Sequence, residues 1–230
     1  MANIRKYSDM RTIGHMCKHY ERSVEPGHYS NSEIDESRIC NNYNLAPDRG
    51  KQTDYIKQKI DAIMDGRTLR KDAVRMCCCV VDAPKNLPKE KEELFFIATY
   101  DFLVARYGGK GGMGEDVVVS AYVHNDETSA HLNFAWMPIC FNKNGVRTFA
   151  AKEVVSRSDL RTLHQDLGNY LESLGICKKS DILNGKTIRD SNGRALSVSE
   201  LKKRSRERER ERSNRWERTV NRTERTIGRW

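Results

Sequence analysis

Residues 123–134 of this chain read Val-His-Asn-Asp-Glu-Thr-Ser-Ala-His-Leu-Asn-Phe. This polar stretch lies between two apolar runs. Residues 116–123 are rich in β-branched side chains, and in residues 131–139 apolar and polar side chains alternate. Both patterns are typical of β-strands. The stretch therefore predicts two strands joined by a polar turn, and this hairpin decides the fold.

The second predicted strand has two different faces. Because successive side chains of a strand point to opposite sides, His131 and Asn133 share one face. Leu132, Phe134 and Trp136 share the other face. We therefore expect this strand to pack its apolar face on a core and to present polar groups on its opposite face.

The turn adds a second histidine and a carboxylate to this polar face. His124 ends the first predicted strand and Glu127 lies in the turn, so both can fold back onto the second strand. Imidazole, carboxylate and amide groups are ligands of divalent metals. The predicted ligands of a three- or four-ligand metal site are His124, Glu127, His131 and Asn133.

The charge of the chain is unevenly distributed. The net charge is +9, and residues 201–230 contain 12 Lys and Arg against 5 Glu. Most of the excess charge therefore lies in the last 30 residues, and the rest of the chain is nearly neutral. This pattern indicates a partner with dense negative charge, either nucleic acid or an anionic membrane surface. The tail itself is predicted to be a solvated helix or disordered.

Length and cysteine content indicate the class of protein. The 230 residues predict one domain over residues 1–198 and a charged Arg/Glu-rich tail over residues 199–230. The start has no apolar signal segment, and no run approaches the ~18 apolar residues of a membrane-spanning helix. The seven cysteines include no C-x-x-C pair, and Cys77, Cys78 and Cys79 are consecutive in an apolar run. We therefore expect a reduced, cytoplasmic protein without disulfides or a zinc finger.

Apolar periodicity predicts the remaining elements, although residues 1–50 are polar and irregular in pattern. The predicted helices are residues 53–64 with Thr53 as N-cap, residues 89–107 and residues 158–174, and the predicted buried strand is residues 73–81. Residues 108–114 are glycine-rich but lack the ending of a phosphate-binding loop, so a flexible connector is predicted. Together these elements predict an α+β domain with one antiparallel sheet and helices on one face.

Three segments match a known family in order and spacing. Residues 18–43 contain Lys-His-Tyr-Glu-Arg, Asn-Ser-Glu-Ile-Asp, Ser-Arg and Asn-Tyr, and residues 70–74 read Arg-Lys-Asp-Ala-Val. Residues 124–133 follow the pattern H-x-D-E-[ST]-[ST]-x-H. These segments resemble the conserved blocks of the Pre/Mob (MobV-type) plasmid mobilization relaxases, a family of plasmid recombination enzymes. The resemblance covers roughly residues 10–175, and three ordered motifs are more specific than one.

The resemblance implies an antiparallel sheet of the HUH-relaxase type with helices packed on it. It also implies a metal-dependent, site-specific DNA strand transferase that uses Mn²⁺ or Mg²⁺. Such an enzyme nicks one strand of single-stranded or hairpin DNA at an origin of transfer and stays attached to the 5′ phosphate. Dimerisation through a C-terminal region is a further expectation.

The same alignment assigns roles to individual residues. His19 is the implied nucleophile, and Glu127 would orient it, deprotonate it or bind the metal. Arg22 would bind the phosphate or position the nucleophile. The implied DNA contacts are Arg38, Arg70, Lys71 and Tyr43.

Two departures from the family signature leave alternatives open. Ala130 replaces a proline, which costs only turn rigidity, and Asn133 replaces the third histidine. Since an amide oxygen is a weaker donor than imidazole, we expect weaker metal affinity with a shift toward Mn²⁺ or Mg²⁺, or a degraded site. The alternatives are a relaxase-derived DNA-binding protein without nicking activity, or a related replication or transposition endonuclease with Tyr43 as nucleophile. For Arg22 and Arg38, the alternative is a structural ion pair.

Overall fold

The computed structural model of this chain describes residues 3–24, 28–29 and 31–183, and five single residues: Asn192, Glu200, Lys203, Glu207 and Arg210. The chain divides into two compact units, Met1–Asn184 and Gly185–Trp230. The predicted domain boundary at residue 198 and the turns at residues 184–185 and 192–193 lie largely outside the described residues. The same holds for most of the predicted tail, so these expectations stay predictions.

The described residues form seven strands and six α-helices, with short 3-10 helices between some of them. The strands are β1 (Asn3–Tyr7), β2 (Tyr43–Asn44), β3 (Met76–Asp82), β4 (Val118–His124), β5 (His131–Trp136), β6 (Ile139–Phe141) and β7 (Arg147–Phe149). The α-helices are α1 (Met10–Glu21), α2 (Gln52–Met64), α3 (Glu92–Gly108), α4 (Ala151–Val154), α5 (Arg157–Ser173) and α6 (Lys179–Leu183). The 3-10 helices are Glu36–Asn41, Lys89–Lys91, Gly109–Gly111 and Gly114–Val117. The predicted α+β class is confirmed.

The main sheet has five antiparallel strands in the order β1-β3-β5-β4-β2, and β6 and β7 form a separate hairpin. The predicted hairpin of residues 116–139 forms the centre of this sheet as β4 and β5. Its register pairs His124 with His131 next to the turn, and Asp82 at the end of β3 pairs with His131 from the other side. The polar turn therefore lies at one end of the central strands.

Helices cover both faces of the main sheet, so the expectation of helices on one face was wrong. On one face, His124 Nε2 lies 2.8 Å from the backbone carbonyl of Tyr20 in α1. On the other face, Trp136 stacks on Tyr107 of α3, with ring centroids 4.4 Å apart. Because side chains alternate along β5, the predicted polar face lies under α1 and the predicted apolar face lies under α3.

Residues 1–50 contain more regular structure than their pattern predicts. Helix α1 begins after Asp9, whose side chain accepts a hydrogen bond from the backbone N–H of Thr12 at 2.8 Å. Its buried side is narrow, with Ile13, Cys17 and Tyr20 at helical spacing. Three buried residues among nine polar or partly exposed ones give a weak periodic signal, and for this reason the helix was missed.

The predicted helices exist, but some of their details differ. Helix α2 follows Lys51, which makes no side-chain capping bond, and Thr53 is a residue within the helix. Leu94, Leu160 and Leu174 were expected on the inward stripes, yet they are 52%, 43% and 51% exposed. The buried faces of α3 and α5 are therefore rotated from the predicted ones.

The glycine-rich residues 108–114 form a compact 3-10 turn, in contrast to the predicted flexible connector. A Cβ atom on Gly108 would lie 2.1 Å from the carbonyl oxygen of Gly114, so the two backbones approach too closely for any side chain. Arg147 Nε donates to the carbonyl of Gly111 at 2.9 Å. The glycines here serve close packing.

The predicted burial of Cys77, Cys78 and Cys79 is confirmed, since each is at most 2% exposed in β3. The burial raises the pKa of all three thiols, that of Cys78 to about 12. Among the residues that the structure describes, no helix combines the length and apolar character needed to cross a membrane.

Candidate active site

Three of the predicted metal ligands come together at the end of the β4–β5 hairpin. One ligand atom each from His124, Glu127 and His131 lie within 4.8 Å of one another. His124 is fully buried at the end of β4, and the Glu127 side chain, in the turn, is 14% exposed. The antiparallel pairing of His124 with His131 brings the two rings together, with centroids 5.2 Å apart.

Backbone carbonyls determine which nitrogen of each histidine can bind a metal. The Tyr20 carbonyl accepts a hydrogen bond from His124 Nε2 at 2.8 Å, which leaves the lone pair on Nδ1. The Ser129 carbonyl accepts one from His131 Nδ1 at 3.0 Å, which leaves the lone pair on Nε2. Metal-binding histidines usually donate their second N–H in this way. With Glu127 as a carboxylate ligand, the three residues fit a divalent cation.

Asn133 lies directly beside this group. It is 4% exposed, and its Nδ2 lies 3.1 Å from His124 Nδ1. In this orientation the amide donates to the lone pair that a metal would use. A half-turn of the amide would place Oδ1 there instead, next to a cation. The structure thus brings Asn133 to the predicted position, and its role as a ligand stays a prediction.

Arg22 holds the two carboxylates of the turn. Its Nε and Nη2 bind the two carboxylate oxygens of Asp126 at 2.7 and 2.9 Å, and Nη2 also reaches Glu127 Oε1 at 2.8 Å. The Arg22 and Asp126 side chains are 1% and 0% exposed. Arg22 adopts a positive φ of 54° just after α1, which turns the chain toward the hairpin. The ion pair that was the alternative interpretation of Arg22 is therefore present.

His19 lies beside the same group, on the last turn of α1. Its ring centroid is 6.1 Å from that of His124. Arg22 Nη1 donates to the His19 carbonyl at 3.1 Å and lies 3.4 Å from its Nδ1. Burial, and next the charge of Arg22, lower the pKa of His19, against the opposing effect of Glu127. The imidazole is thus neutral near pH 7 and keeps a lone pair, as a nucleophile requires.

The same guanidinium and burial shift two neighbouring groups. Burial and the Arg22 charge lower the pKa of His124 to about 3, so its ring is neutral and ready to bind a cation. Burial raises the pKa of Asp126, but the hydrogen bonds from Arg22 outweigh it and hold that pKa at about 2. Asp126 therefore remains an anion and compensates the buried guanidinium.

Arg38 supports the turn from the outside. It forms an exposed ion pair with Asp35 at 3.0 Å, and its Nη2 donates to the Glu127 carbonyl at 3.0 Å. The backbone N–H of Asp35 donates to the Asp126 carbonyl at 2.7 Å. The 3-10 segment Glu36–Asn41 is thereby attached to the hairpin, and Arg38 lies at the rim of the site.

The structure does not bring Tyr43 to the histidines. Tyr43 in β2 pairs with Val123 of β4, so its side chain shares the face of Val123, while that of His124 lies on the opposite face. Burial raises the pKa of Tyr43, and the next contributions come from Glu93 and Glu92 of α3. The sheet separates this hydroxyl from His19.

Arg70 and Lys71 lie at the other end of the sheet. Both are exposed and precede β3, which begins at Met76. The far end of β3, Asp82, pairs with His131. At about 3.3 Å per residue, the two ends of β3 are about 20 Å apart. A DNA contact at these two residues would therefore lie well away from the metal-ligand group.

Sequence reasoning assigned no role to Asp126, although it lies within the matched motif. Its adjacency to Glu127 was the one available signal. The fold and the site together define an α+β protein in which an antiparallel sheet carries a His-Glu-His candidate metal centre, with a further histidine from a helix beside it.

The chain belongs to the plasmid recombination enzyme family Mob_Pre, whose model matches residues 1–181. It is 29% identical over 202 residues to a plasmid recombination enzyme of Streptococcus agalactiae, covering 83% of this chain and 38% of that protein. It is 28% identical over 196 residues to the type 3 enzyme of Mammaliicoccus lentus, covering 82% and 43%. The chain thus spans about two fifths of the length of these curated relatives.

The fold is similar to that of a solved relaxase domain. A Mn-bound crystal structure of the MobM relaxase domain (MOBV; Mob_Pre), bound to plasmid pMV158 oriT DNA, matches with a TM-score of 0.70 and 27% identity. The match covers 88% of this chain and 97% of that domain. A second Mn-bound structure of the same domain with oriT DNA matches with a TM-score of 0.68 at 25% identity. The implied relaxase-type sheet with packed helices is confirmed.

Proposed function

We propose that this chain is a relaxase domain that nicks one DNA strand at a plasmid or mobile-element origin of transfer. The reaction is metal-dependent and leaves the 5′ phosphate covalently attached to His19. The observation that carries this proposal is the placement of His19 beside His124, Glu127 and His131, with Arg22 joined to both His19 and Glu127. A nucleophile next to a cation site is what phosphodiester cleavage requires.

The proposed cation is Mn²⁺ or Mg²⁺, held by His124, Glu127 and His131. Its chemistry there would be to neutralise the non-bridging oxygens of the scissile phosphate and to orient that phosphate. The mixed nitrogen and oxygen donors suit Mn²⁺, the ion bound in the MobM structures. Asn133 adds an amide to this set in place of the third signature histidine.

The transfer balances with the groups at hand. The attacking imidazole nitrogen of His19 forms a bond to phosphorus, and the bond from phosphorus to the 3′ oxygen breaks. The proton that the imidazole loses is available, through Glu127 or water, to the leaving 3′ oxygen. Arg22 keeps Glu127 in place for this role through the 2.8 Å contact. The products are a phosphoramidate and a free 3′ hydroxyl.

Two alternatives make different predictions. A DNA-binding protein without nicking is favoured by the contact of Asn133 Nδ2 with His124 Nδ1, because that amide occupies the lone pair needed for a metal. An endonuclease with a tyrosine nucleophile is disfavoured by the position of Tyr43 on the opposite face of the sheet. We retain the first alternative as the outcome that the next experiment can show.

The test is relaxation of a supercoiled plasmid that carries the DNA around the encoding gene, in the presence of Mn²⁺. The wild-type chain should relax the plasmid and remain linked to a 5′ end, and His19→Ala should abolish both effects. A matched control is His164→Ala, on α5 on the opposite side of the sheet, which should act as wild type. Binding without nicking by the wild type, across several divalent ions, would establish the alternative. Nicking by His19→Ala would show that another nucleophile acts.

The proposed DNA substrate is an origin of transfer in single-stranded or hairpin form, as for MobM, whose structures contain oriT DNA. A DNA substrate of this kind implies a cytoplasmic location. Dimerisation through a C-terminal region would involve residues outside those described here and stays a prediction.

A further inference from the structure

The outward side of α1 carries basic side chains that lead away from His19. Arg11, His15 and Lys18 occupy positions 11, 15 and 18, which a period of 3.6 residues places on one side of the helix together with position 19. All three are exposed, whereas the opposite side of the helix is buried. We call Arg11, His15 and Lys18 the α1 basic stripe. From Arg11 to His19 it is about 12 Å long.

The α1 basic stripe borders a cleft between α1 and the start of α2. This cleft has a volume of about 550 Å³, and all three residues of the stripe line it. Lys51, which immediately precedes α2, lines it from the other side, and its side chain is 75% exposed. Cations therefore face the cleft from two separate elements.

Negative charge in the cleft is limited. Glu21 is the one acidic side chain among its described lining residues, and it accepts a hydrogen bond from Gln52 Nε2 at 2.5 Å. Lys51 shares the carboxylate of Asp54 with Lys57, at 3.4 and 3.5 Å, and all three side chains are more than half exposed. Such exposed pairs are weak, so Lys51 stays available to another anion. The cleft as a whole is positive.

We infer that this cleft holds the sugar-phosphate backbone of the DNA strand that continues from the scissile phosphate at His19. Arg11, Lys18 and Lys51 are the phosphate contacts. This inference rests on the proposed function, to which it adds a path for the substrate strand. The stripe is long enough for two or three successive phosphates of one strand. Contacts of this kind position a strand without reading its sequence.

The experiment compares the salt dependence of DNA binding in two matched triple variants of the full 230-residue chain. The probe is a fluorescent single-stranded oligothymidylate of about 20 nucleotides. The test variant is Arg11→Gln/Lys18→Gln/Lys51→Gln. The control variant is Lys152→Gln/Arg157→Gln/Arg161→Gln, which removes three exposed cations on α4 and α5, on the α3 side of the sheet.

The slope of log affinity against log salt should become shallower by about 2 in the test variant, since each lost phosphate contact removes about 0.7 for a single strand. The control should keep the slope of the wild type. Melting curves that match the wild type will show that both variants fold.

An unchanged slope in the test variant, or an equal loss in both variants, would overturn the assignment of the cleft. If the wild type still nicks its plasmid in that case, the proposed function stands without this path. If the wild type neither binds the oligonucleotide nor nicks, both the path and the proposed function are wrong.

Discussion

Arg22 and Asp126 form a buried two-point ion pair, with Nε–Oδ2 and Nη2–Oδ1 distances of 2.7 and 2.9 Å. They are 104 residues apart in sequence, one just after α1 and the other in the β4–β5 turn. The pair joins the helix that carries His19 to the hairpin that carries the metal ligands. It therefore sets the distance between the proposed nucleophile and the proposed cation.

Asp126→Asn should destabilise the protein by about 3–5 kcal/mol, because it leaves a buried guanidinium with part of its charge uncompensated. Urea unfolding followed by circular dichroism measures this. Asp54→Asn is the matched control, since Asp54 is 56% exposed in its ion pairs, and its loss should cost less than about 1 kcal/mol. Equal effects of the two substitutions would contradict the structural importance of the buried pair.

Asn133→His should raise the affinity for Mn²⁺ about tenfold, because it adds an imidazole donor beside His124 Nδ1. Titration calorimetry of the metal-free protein provides the measurement. Asn169→His, at an exposed position of α5, adds a histidine far from the site and should leave the affinity unchanged. An affinity of Asn133→His equal to that of this control would show that position 133 does not reach the metal.

Tyr43→Phe should nick the origin plasmid at the wild-type rate, because the sheet separates its hydroxyl from His19. Removal of one oxygen changes little else in the half-buried side chain. A plasmid relaxation assay alongside His19→Ala gives a direct comparison. Loss of nicking in Tyr43→Phe, with a normal melting temperature, would favour the tyrosine mechanism.

His131→Ala should weaken Mn²⁺ binding at least tenfold and leave folding largely intact, because this side chain is only partly buried. His164→Ala again provides the control. Calorimetric titration in parallel with thermal melting separates loss of metal from loss of structure. Unaltered Mn²⁺ binding in His131→Ala would exclude the proposed ligand set.

In EDTA, stability should fall as the pH is lowered from about 6.5 toward 4.5. The pKa of His124 is about 3 in the folded protein and that of His19 is also lowered, so the unfolded chain binds these protons first. Stability is then complete above the unfolded pKa and decreases below it, by at most about 1.4 kcal/mol per pH unit for each histidine. Urea unfolding at several pH values measures the slope, and His124→Gln should make it shallower. A flat profile for the wild type would contradict the neutral, buried state of His124.

The β4–β5 hairpin could be predicted from sequence because its information is local. Alternation in β5 placed His131 and Asn133 on one face and Trp136 on the other, and the structure has them there. Helix α1 could not be predicted in the same way, because Ile13, Cys17 and Tyr20 form a narrow buried side in a polar segment. The expectation for Leu160 also failed, since an exposed leucine fits a helical period as well as a buried one.

By itself, the sequence determined the strands of the hairpin, the candidate ligands His124, Glu127 and His131, and the family resemblance that pointed to His19. These follow from short-range patterns and from motif order. Only the tertiary structure decided that Arg22 pairs with Asp126, that Tyr43 lies across the sheet, and that Arg70 lies at its far end. Side-chain pairing between distant segments depends on how strands and helices pack, and no local pattern encodes that distance.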